Sequence, residues 1–147
     1  MATDTLPVPD AARRLATAYS TLMRGLLFPG SEGDSPYEPF HVGFAPGTGK
    51  ITPTAFREAA DLAEWWDIHV DPIGTWFKDQ TVGDPDPQTA ATYHLLRETM
   101  RATLTGPLHR ASVAHTDGAT FHKTRRYVFG RAPGGGLAGL VAFSVET

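Results

Sequence analysis

The stretch LAGLVAFSVE, residues Leu137–Glu146, decides the fold because nearly every position in it is apolar. A strand with one face in water alternates apolar and polar side chains, whereas a strand covered on both faces does not. We therefore predict that this stretch is a central strand of a sheet sandwiched between helices. Two further strands are predicted upstream, at Leu108–His115 and Thr120–Arg131, and a tight Pro133–Gly136 connection follows them.

The N-terminal part of the chain predicts a helix, an acidic loop and a short strand. The helix begins with Asp10 as its N-cap and is stopped by Pro29-Gly30. Ser31–Pro39 is predicted to be a loop, because its Gly and Pro residues disfavour helix and strand. Phe40–Phe44 alternates like a strand. The inward-facing side chains of the helix are predicted to be Leu15, Tyr19, Leu22 and Leu26.

Cap residues followed by proline predict two more helices. The second helix begins after Thr52, with Pro53 at its first position, and the third begins after Asp86, with Pro87 at its first position. Between them, Asp67–Gln80 is predicted to be irregular. The apolar side of the third helix is predicted to consist of Ala91, Leu95, Met100 and Leu104.

These elements predict one α+β domain over residues 1–147. Its expected architecture is a three-layer α/β/α sandwich, with a mostly antiparallel central sheet flanked by about three helices. The 41% of hydrophobic residues and 20% of charged residues are ordinary for a folded globular domain.

Charge and composition exclude several classes of function. The 13 basic and 16 acidic residues give a net charge of −3, so direct binding of nucleic acid through its phosphates is not expected. The absence of cysteine excludes disulfides and thiolate metal sites. No secretory signal and no apolar run of roughly 20 residues is present, so we expect a cytoplasmic protein that does not enter a membrane.

The sequence departs from the familiar catalytic and nucleotide-binding motifs at positions that those motifs require. The segment Ala45–Thr52 has the Gly-Thr-Gly-Lys sequence of a phosphate loop, but Phe44 and Ile51 stand where that loop requires Gly and Ser or Thr. A turn is the better interpretation. No serine lies in a nucleophile elbow, and the alternating Asp67, His69 and Asp71 are interpreted as solvated side chains.

Histidines leave one enzymatic alternative open, a small metal-dependent hydrolase. His109 and His115 are expected on one strand face, His122 opposite them, and Asp117 near the turn. Zinc sites need three or four converging ligands, and neither HExxH nor a short His-x-His pair is present. A surface or hydrogen-bonded role for these histidines is therefore favoured.

Three segments carry a resemblance to a known family. In the first segment, Gly25–Phe28 runs into the acidic stretch Ser31–Phe40. The second contains Tyr127–Gly130, followed by Pro133, Gly134 and Leu137–Gly139, and ends in Val145–Thr147. The third is Trp76-Phe77, which precedes the third helix. In order, spacing and position these segments resemble the nuclease A inhibitor family. The resemblance implies an α/β/α sandwich that inhibits a non-specific endonuclease with a ββα-metal active site.

The resemblance also implies roles for individual residues. Glu32 matches the acid that enters the nuclease active site and mimics the scissile phosphate, with Asp34 as the substitute if the longer loop displaces it. Thr147, preceded by Glu146, matches the terminal threonine whose hydroxyl binds the nuclease's Mg²⁺. Trp76 matches a second anchor, where the family has an acid immediately before the tryptophan and this chain has Thr75.

On this interpretation the protein is expected to have no catalytic activity and no cofactor of its own, since the bridging Mg²⁺ belongs to the partner nuclease. It is expected to be monomeric when free. An immunity-type or general protein-binding module, with the same scaffold and a different partner, is the alternative.

Overall fold

A computed structural model describes residues 8–29, 34–114 and 122–146, with side chains described for 11–28, 35–114 and 124–144. The described elements are, in chain order, α1 (Val8–Leu22), β1 (Leu27–Pro29), β2 (Asp34–Pro36), β3 (Glu38–Val42), α2 (Pro53–Ala59), β4 (Asp67–Pro72), α3 (Trp76–Asp79), α4 (Pro87–Thr103), β5 (Thr105–Ala114), β6 (His122–Arg131) and β7 (Leu137–Glu146). None of the helices in these ranges is long and apolar enough to cross a membrane.

Five strands form an antiparallel sheet in the order β3-β7-β6-β5-β4. The strands β1 and β2 form a separate two-stranded hairpin. The predicted α+β class and the antiparallel sheet are therefore confirmed. The strand β7 has the predicted bounds, and it lies inside the sheet between β3 and β6, as its apolar sequence requires.

The predicted irregular segment Asp67–Gln80 is wrong, because it contains β4 and α3. Four helices therefore lie within the described ranges, where about three were predicted. The proline in this segment does not prevent a strand, because β4 is an edge strand and Pro72 closes it opposite His109. Proline is tolerated at such a position because one side of an edge strand needs no hydrogen-bond donor.

Helix starts follow their predicted caps in two of three cases. The Thr52 hydroxyl accepts a hydrogen bond from the Ala55 amide at 3.1 Å, and the Asp86 carboxylate accepts one from Gln88 at 2.9 Å. The helix α1, however, begins at Val8, two residues before the predicted cap at Asp10.

The predicted buried face of α4 is partly wrong. Ala91 and Leu95 are exposed, whereas Tyr93 and Leu96 are buried together with Met100. The buried positions keep three- and four-residue spacing but are shifted around the helix, because the large ring of Tyr93 is buried through its contacts with other aromatic rings.

Two hydrophobic clusters lie on opposite faces of the sheet. In β6, Val128 belongs to the first cluster, whereas its neighbours Tyr127 and Phe129 belong to the second, as the alternation of side chains along a strand requires. The helices α1, α3 and α4 contribute to the first cluster, and α2 contributes Phe56 to the second. Both faces of the sheet therefore carry packed side chains.

Gly139 permits a close approach within this sheet. A Cβ atom at Gly139 would lie 2.0 Å from the carbonyl oxygen of Val128 and 2.7 Å from the Cα of Phe129. Both of these are backbone atoms, which cannot move aside without shifting β6. The glycine in the otherwise bulky β7 is thus a packing requirement.

Candidate functional site

The base of the acidic loop is the hairpin of β1 and β2. Leu27 pairs with Pro36, Phe28 with Ser35 and Pro29 with Asp34. Residues 30–33, which include Glu32, lie outside the described residues. The hairpin fixes where the loop leaves and re-enters the fold.

A hydrogen bond attaches this hairpin to β7. The Ser35 hydroxyl accepts from the Phe143 amide at 3.0 Å and donates to the Pro36 carbonyl at 3.1 Å. Just downstream, Glu38 pairs with Val141 in the antiparallel ladder. Because β3 and β7 are antiparallel, the chain from Glu38 back to Ser35 follows β7 toward its C-terminal end.

Four predicted residues belong to these two segments. Asp34 is the first residue of β2 and Glu146 the last residue of β7, each described by its backbone alone. Glu32 and Thr147 lie outside the described residues. Among the described residues, the structure brings β2 into contact with the C-terminal half of β7.

Thr75 and Trp76 begin α3. Thr75 is exposed, and its hydroxyl donates to the Asp79 carboxylate at 2.9 Å. Trp76 is only 7% exposed and belongs to the first hydrophobic cluster. This packing is that of a core side chain, and only a small part of the Trp76 surface is accessible from outside.

Tyr37 connects α3 to the hairpin. Its ring contacts Phe28 and Trp76 edge-to-face, at centroid distances of 6.2 and 6.4 Å. Its hydroxyl lies 2.6 Å from that of Tyr93 on α4. Burial, with a further contribution from Tyr93, raises the pKa of Tyr37 well above its ordinary value, so the hydroxyl stays neutral. The hairpin is thereby held against α3 and α4.

His109, from the histidine set, is a buried core residue. It is 1% exposed and stacks on Phe129 at a centroid distance of 5.8 Å, and its Nε2 accepts a hydrogen bond from the Ile51 amide at 3.2 Å. His115 and Asp117 lie outside the described residues, and His122 is described by its backbone alone. Within the described ranges, no group of three His, Asp or Glu side chains is arranged to hold a metal ion.

The segment Ala45–Thr52 has the wrong polarity for a phosphate loop. Carbonyl oxygens of Pro46 and Gly49 each accept a hydrogen bond from the Arg131 guanidinium at 3.0 Å, and that of Ala45 accepts one at 3.5 Å. A phosphate cradle needs converging N–H donors, whereas this loop turns carbonyls toward a cation. The segment is a turn anchored by Arg131.

The sheet face that carries the first cluster also has a polar area, which the sequence did not predict. In register, Asp71 lies opposite Arg110, and Ser112 lies opposite Arg126. The Arg126 Nε lies 3.4 Å from the Ser144 hydroxyl. The alternation of Arg110 and Ser112 within β5 was the available signal, but only strand pairing brings Asp71 and Arg126 beside them.

The sequence matches no model of a known protein family and no curated protein. The function of this protein therefore has to be inferred from its residues and their geometry.

Proposed function

We propose that this protein inhibits a non-specific, Mg²⁺-dependent endonuclease of the ββα-metal class, by placing a loop acid and its terminal threonine in the active site. The observation that carries the proposal is the hydrogen bond from the Phe143 amide to Ser35. It ties the base of the acidic loop to β7 four residues before the end of the chain. This contact supports the proposal that one edge of the protein presents both groups.

The chemistry of the target explains why these two groups suit it. Such a nuclease uses Mg²⁺ to stabilise the charge that develops on the scissile phosphate. A competitor must supply negative charge and an oxygen ligand, because Mg²⁺ is a hard ion that prefers oxygen. The Glu32 carboxylate and the Thr147 hydroxyl supply these groups in the proposal, and Asp34 replaces Glu32 if the loop is displaced.

A rigid scaffold makes such an inhibitor effective. Association costs less when the binding groups are already ordered, since less conformational entropy is lost. The Ser35 contact, the Tyr37–Tyr93 pair and the interior position of β7 all restrict the base of this edge. The proposal includes a three-layer arrangement, which the two clusters on opposite sheet faces support, and a cytoplasmic location.

Trp76 has a smaller part in this proposal than the family resemblance implies. Its burial favours a structural role, in which it fixes α3 beside the hairpin, and Thr75 is the exposed side chain at that point. Contacts made by Thr75 with the nuclease are a secondary expectation.

DNA digestion by several ββα-metal nucleases tests the proposal, measured with Mg²⁺ and increasing amounts of this protein. Glu32→Gln and Thr147→Val should each weaken inhibition. The expected loss of binding free energy for the nuclease is about 2 kcal/mol or more, the usual cost at an interface hot spot. Glu98→Gln on the exposed face of α4 and Thr147→Ser, which retains the hydroxyl, are the matched controls and should inhibit normally.

Undiminished digestion at a large excess of inhibitor, with every nuclease tried, would contradict the proposal. A nuclease that binds equally well to Glu32→Gln, Asp34→Asn and Thr147→Val would show that the protein acts elsewhere on its partner. That outcome would favour the alternative of an immunity-type binding module.

A further inference from the structure

An open cleft lies between the hairpin, α3 and the polar area of the sheet. Its volume is about 260 Å³, and its lining includes Phe28, Trp76, Arg110, Ser112 and Arg126. Pockets for drug-sized ligands usually span roughly 300–1,000 Å³. The cleft is slightly smaller than this range, so its size suits a ligand smaller than a drug molecule.

Two arginines on one sheet face give the cleft its charge. Ser112 lies opposite Arg126 in the β5–β6 ladder, and Arg110 precedes Ser112 by two positions, so all three side chains point to the same face. Diagonal neighbours in an antiparallel pair lie roughly 7–8 Å apart, a distance that long side chains can span. Arg110 and Arg126 can thus approach a single anion placed between them.

Arg110 is available for this role. Among the described residues, no ion pair or hydrogen bond engages its guanidinium. Asp71 is its register partner on β4 and also lines the cleft, yet the two side chains form no ion pair within the described residues. The described lining contains two guanidinium groups, those of Arg110 and Arg126, and one carboxylate, that of Asp71.

The opposite wall is aromatic and held in place. Trp76 is packed by Tyr37, Phe77 and Tyr93, with ring centroids between 5.1 and 6.4 Å away. Gln80 donates to the Trp76 carbonyl at 3.0 Å and also lines the cleft. Such a wall accepts an apolar or aromatic group without first having to be ordered.

We propose that this cleft binds a small organic anion, whose single carboxylate or phosphate is held by Arg110 and Arg126 and whose apolar body lies against Phe28 and Trp76. Guanidinium groups match planar carboxylates and phosphates through paired hydrogen bonds. Ser112 adds a hydroxyl donor, and Asp71, the register partner of Arg110, selects ligands that carry a hydrogen-bond donor close to the anionic group. The site is independent of nuclease inhibition.

Calorimetric titration of the full-length protein tests this site with three probes of similar shape: benzoate, phenyl phosphate and neutral benzamide. Benzoate or phenyl phosphate should bind in the millimolar range or tighter, and benzamide should bind much more weakly. The stronger of the two anions identifies carboxylate or phosphate as the natural group. In a Trp65→Phe/Trp66→Phe background, Trp76 is the sole tryptophan, and its fluorescence should change on binding.

Arg110→Gln should weaken anion binding by about tenfold or more, because a charged hydrogen-bonding partner is lost. Arg101→Gln, an exposed arginine of α4, makes the same change in net charge and should leave binding unaltered. Arg110→Lys should fall between wild type and Arg110→Gln, because it keeps the charge and loses the planar fork.

Each of four results would overturn the proposal. These are the absence of binding for both anions at millimolar concentration, equal binding of benzamide, undiminished binding by Arg110→Gln, and equal losses in Arg110→Gln and Arg101→Gln. These measurements do not involve a nuclease, so the absence of anion binding would not contradict the proposed inhibition. Likewise, the absence of nuclease inhibition would not contradict anion binding in the cleft.

Discussion

His109 is the clearest case of a side chain whose role depends on what surrounds it. In the sequence it is one histidine among six; in the fold its Nε2 accepts the Ile51 amide in a buried site. Burial, and to a smaller extent the positive charges of Arg131 and Lys50, lower its pKa, while the Pro107 carbonyl acts in the opposite direction. The neutral form is the one that fits, since a protonated ring cannot accept the Ile51 hydrogen bond.

We predict that the free energy of unfolding decreases as pH falls below about 6.5, the ordinary pKa of an unfolded histidine. In that range the unfolded chain takes up a proton that folded His109 resists, so the unfolded state is favoured, and the loss ends below the lowered folded pKa. Urea unfolding of the wild type and of His109→Gln, between neutral and mildly acidic pH, measures this loss of unfolding free energy. The variant should lack this part of the pH dependence, because glutamine accepts without titrating.

His94→Gln is the matched control, because His94 is exposed on α4. It should keep the pH dependence of the wild type. If His109→Gln and wild type lose stability in parallel as pH falls, the buried imidazole is not the group responsible.

Single residues also show what the sequence could and could not predict about the candidate site. The resemblance named Glu32, Asp34 and Thr147 from order and spacing. The strands β2 and β7 meet in the fold, and the roles of these three residues stay predictions. The resemblance also named Trp76 as an anchor, but a tryptophan in sequence gives no sign of whether its ring will be exposed. Burial by Tyr37 and Tyr93 depends on residues distant in the chain.

Among the elements, the hairpin of β1 and β2 is attached to β7 by a contact between residues far apart in the chain. Ser35 and Phe143 are 108 residues apart, and no local pattern predicts that they touch. Helix starts behave differently, because Thr52 and Asp86 cap neighbours two or three residues away, and such signals are contained in the local sequence. The strand β4 was missed for a related reason, since its edge position, which tolerates Pro72, becomes known only with the whole sheet.

We predict that Ser35→Ala lowers the free energy of unfolding by about 1 kcal/mol, the usual net value of one hydrogen bond. The Phe143 amide should also exchange with solvent faster, because it loses its acceptor while the rest of β7 stays paired. Residue-resolved hydrogen exchange measures this, with Ser112→Ala as the control. Unchanged exchange at Phe143 would mean that Ser35 does not hold the hairpin.

At the scale of the whole molecule, the two hydrophobic clusters share one sheet. Adjacent residues of β6 point into different clusters, so neither cluster can lose its packing without disturbing strands that serve the other. The uninterrupted apolar run of β7 predicted apolar packing on both faces of this strand. It could not divide the residues between the two clusters, because that division depends on strand pairing.

We predict a single cooperative unfolding transition for the wild type and for variants in either cluster. Leu96→Ala in the first cluster should cost about 2–5 kcal/mol and Phe56→Ala in the second about 3–5 kcal/mol. Circular dichroism and tryptophan fluorescence should report coincident midpoints in each case. Leu95→Ala, on the exposed side of α4, should cost no more than about 0.5 kcal/mol. Separate midpoints for the two probes would show that the clusters unfold independently.

The open sheet ends in β4 on one side, and the side chains there bear on aggregation. An edge strand offers unpaired backbone groups to which a strand of another molecule can add, and charges and proline oppose such addition. The strand β4 is six residues long, exposes Asp67 and Asp71, and ends in Pro72. A second molecule approaching this edge would bring like charges together and meet a residue that has no amide to donate, so growth into fibrous assemblies is disfavoured at this border.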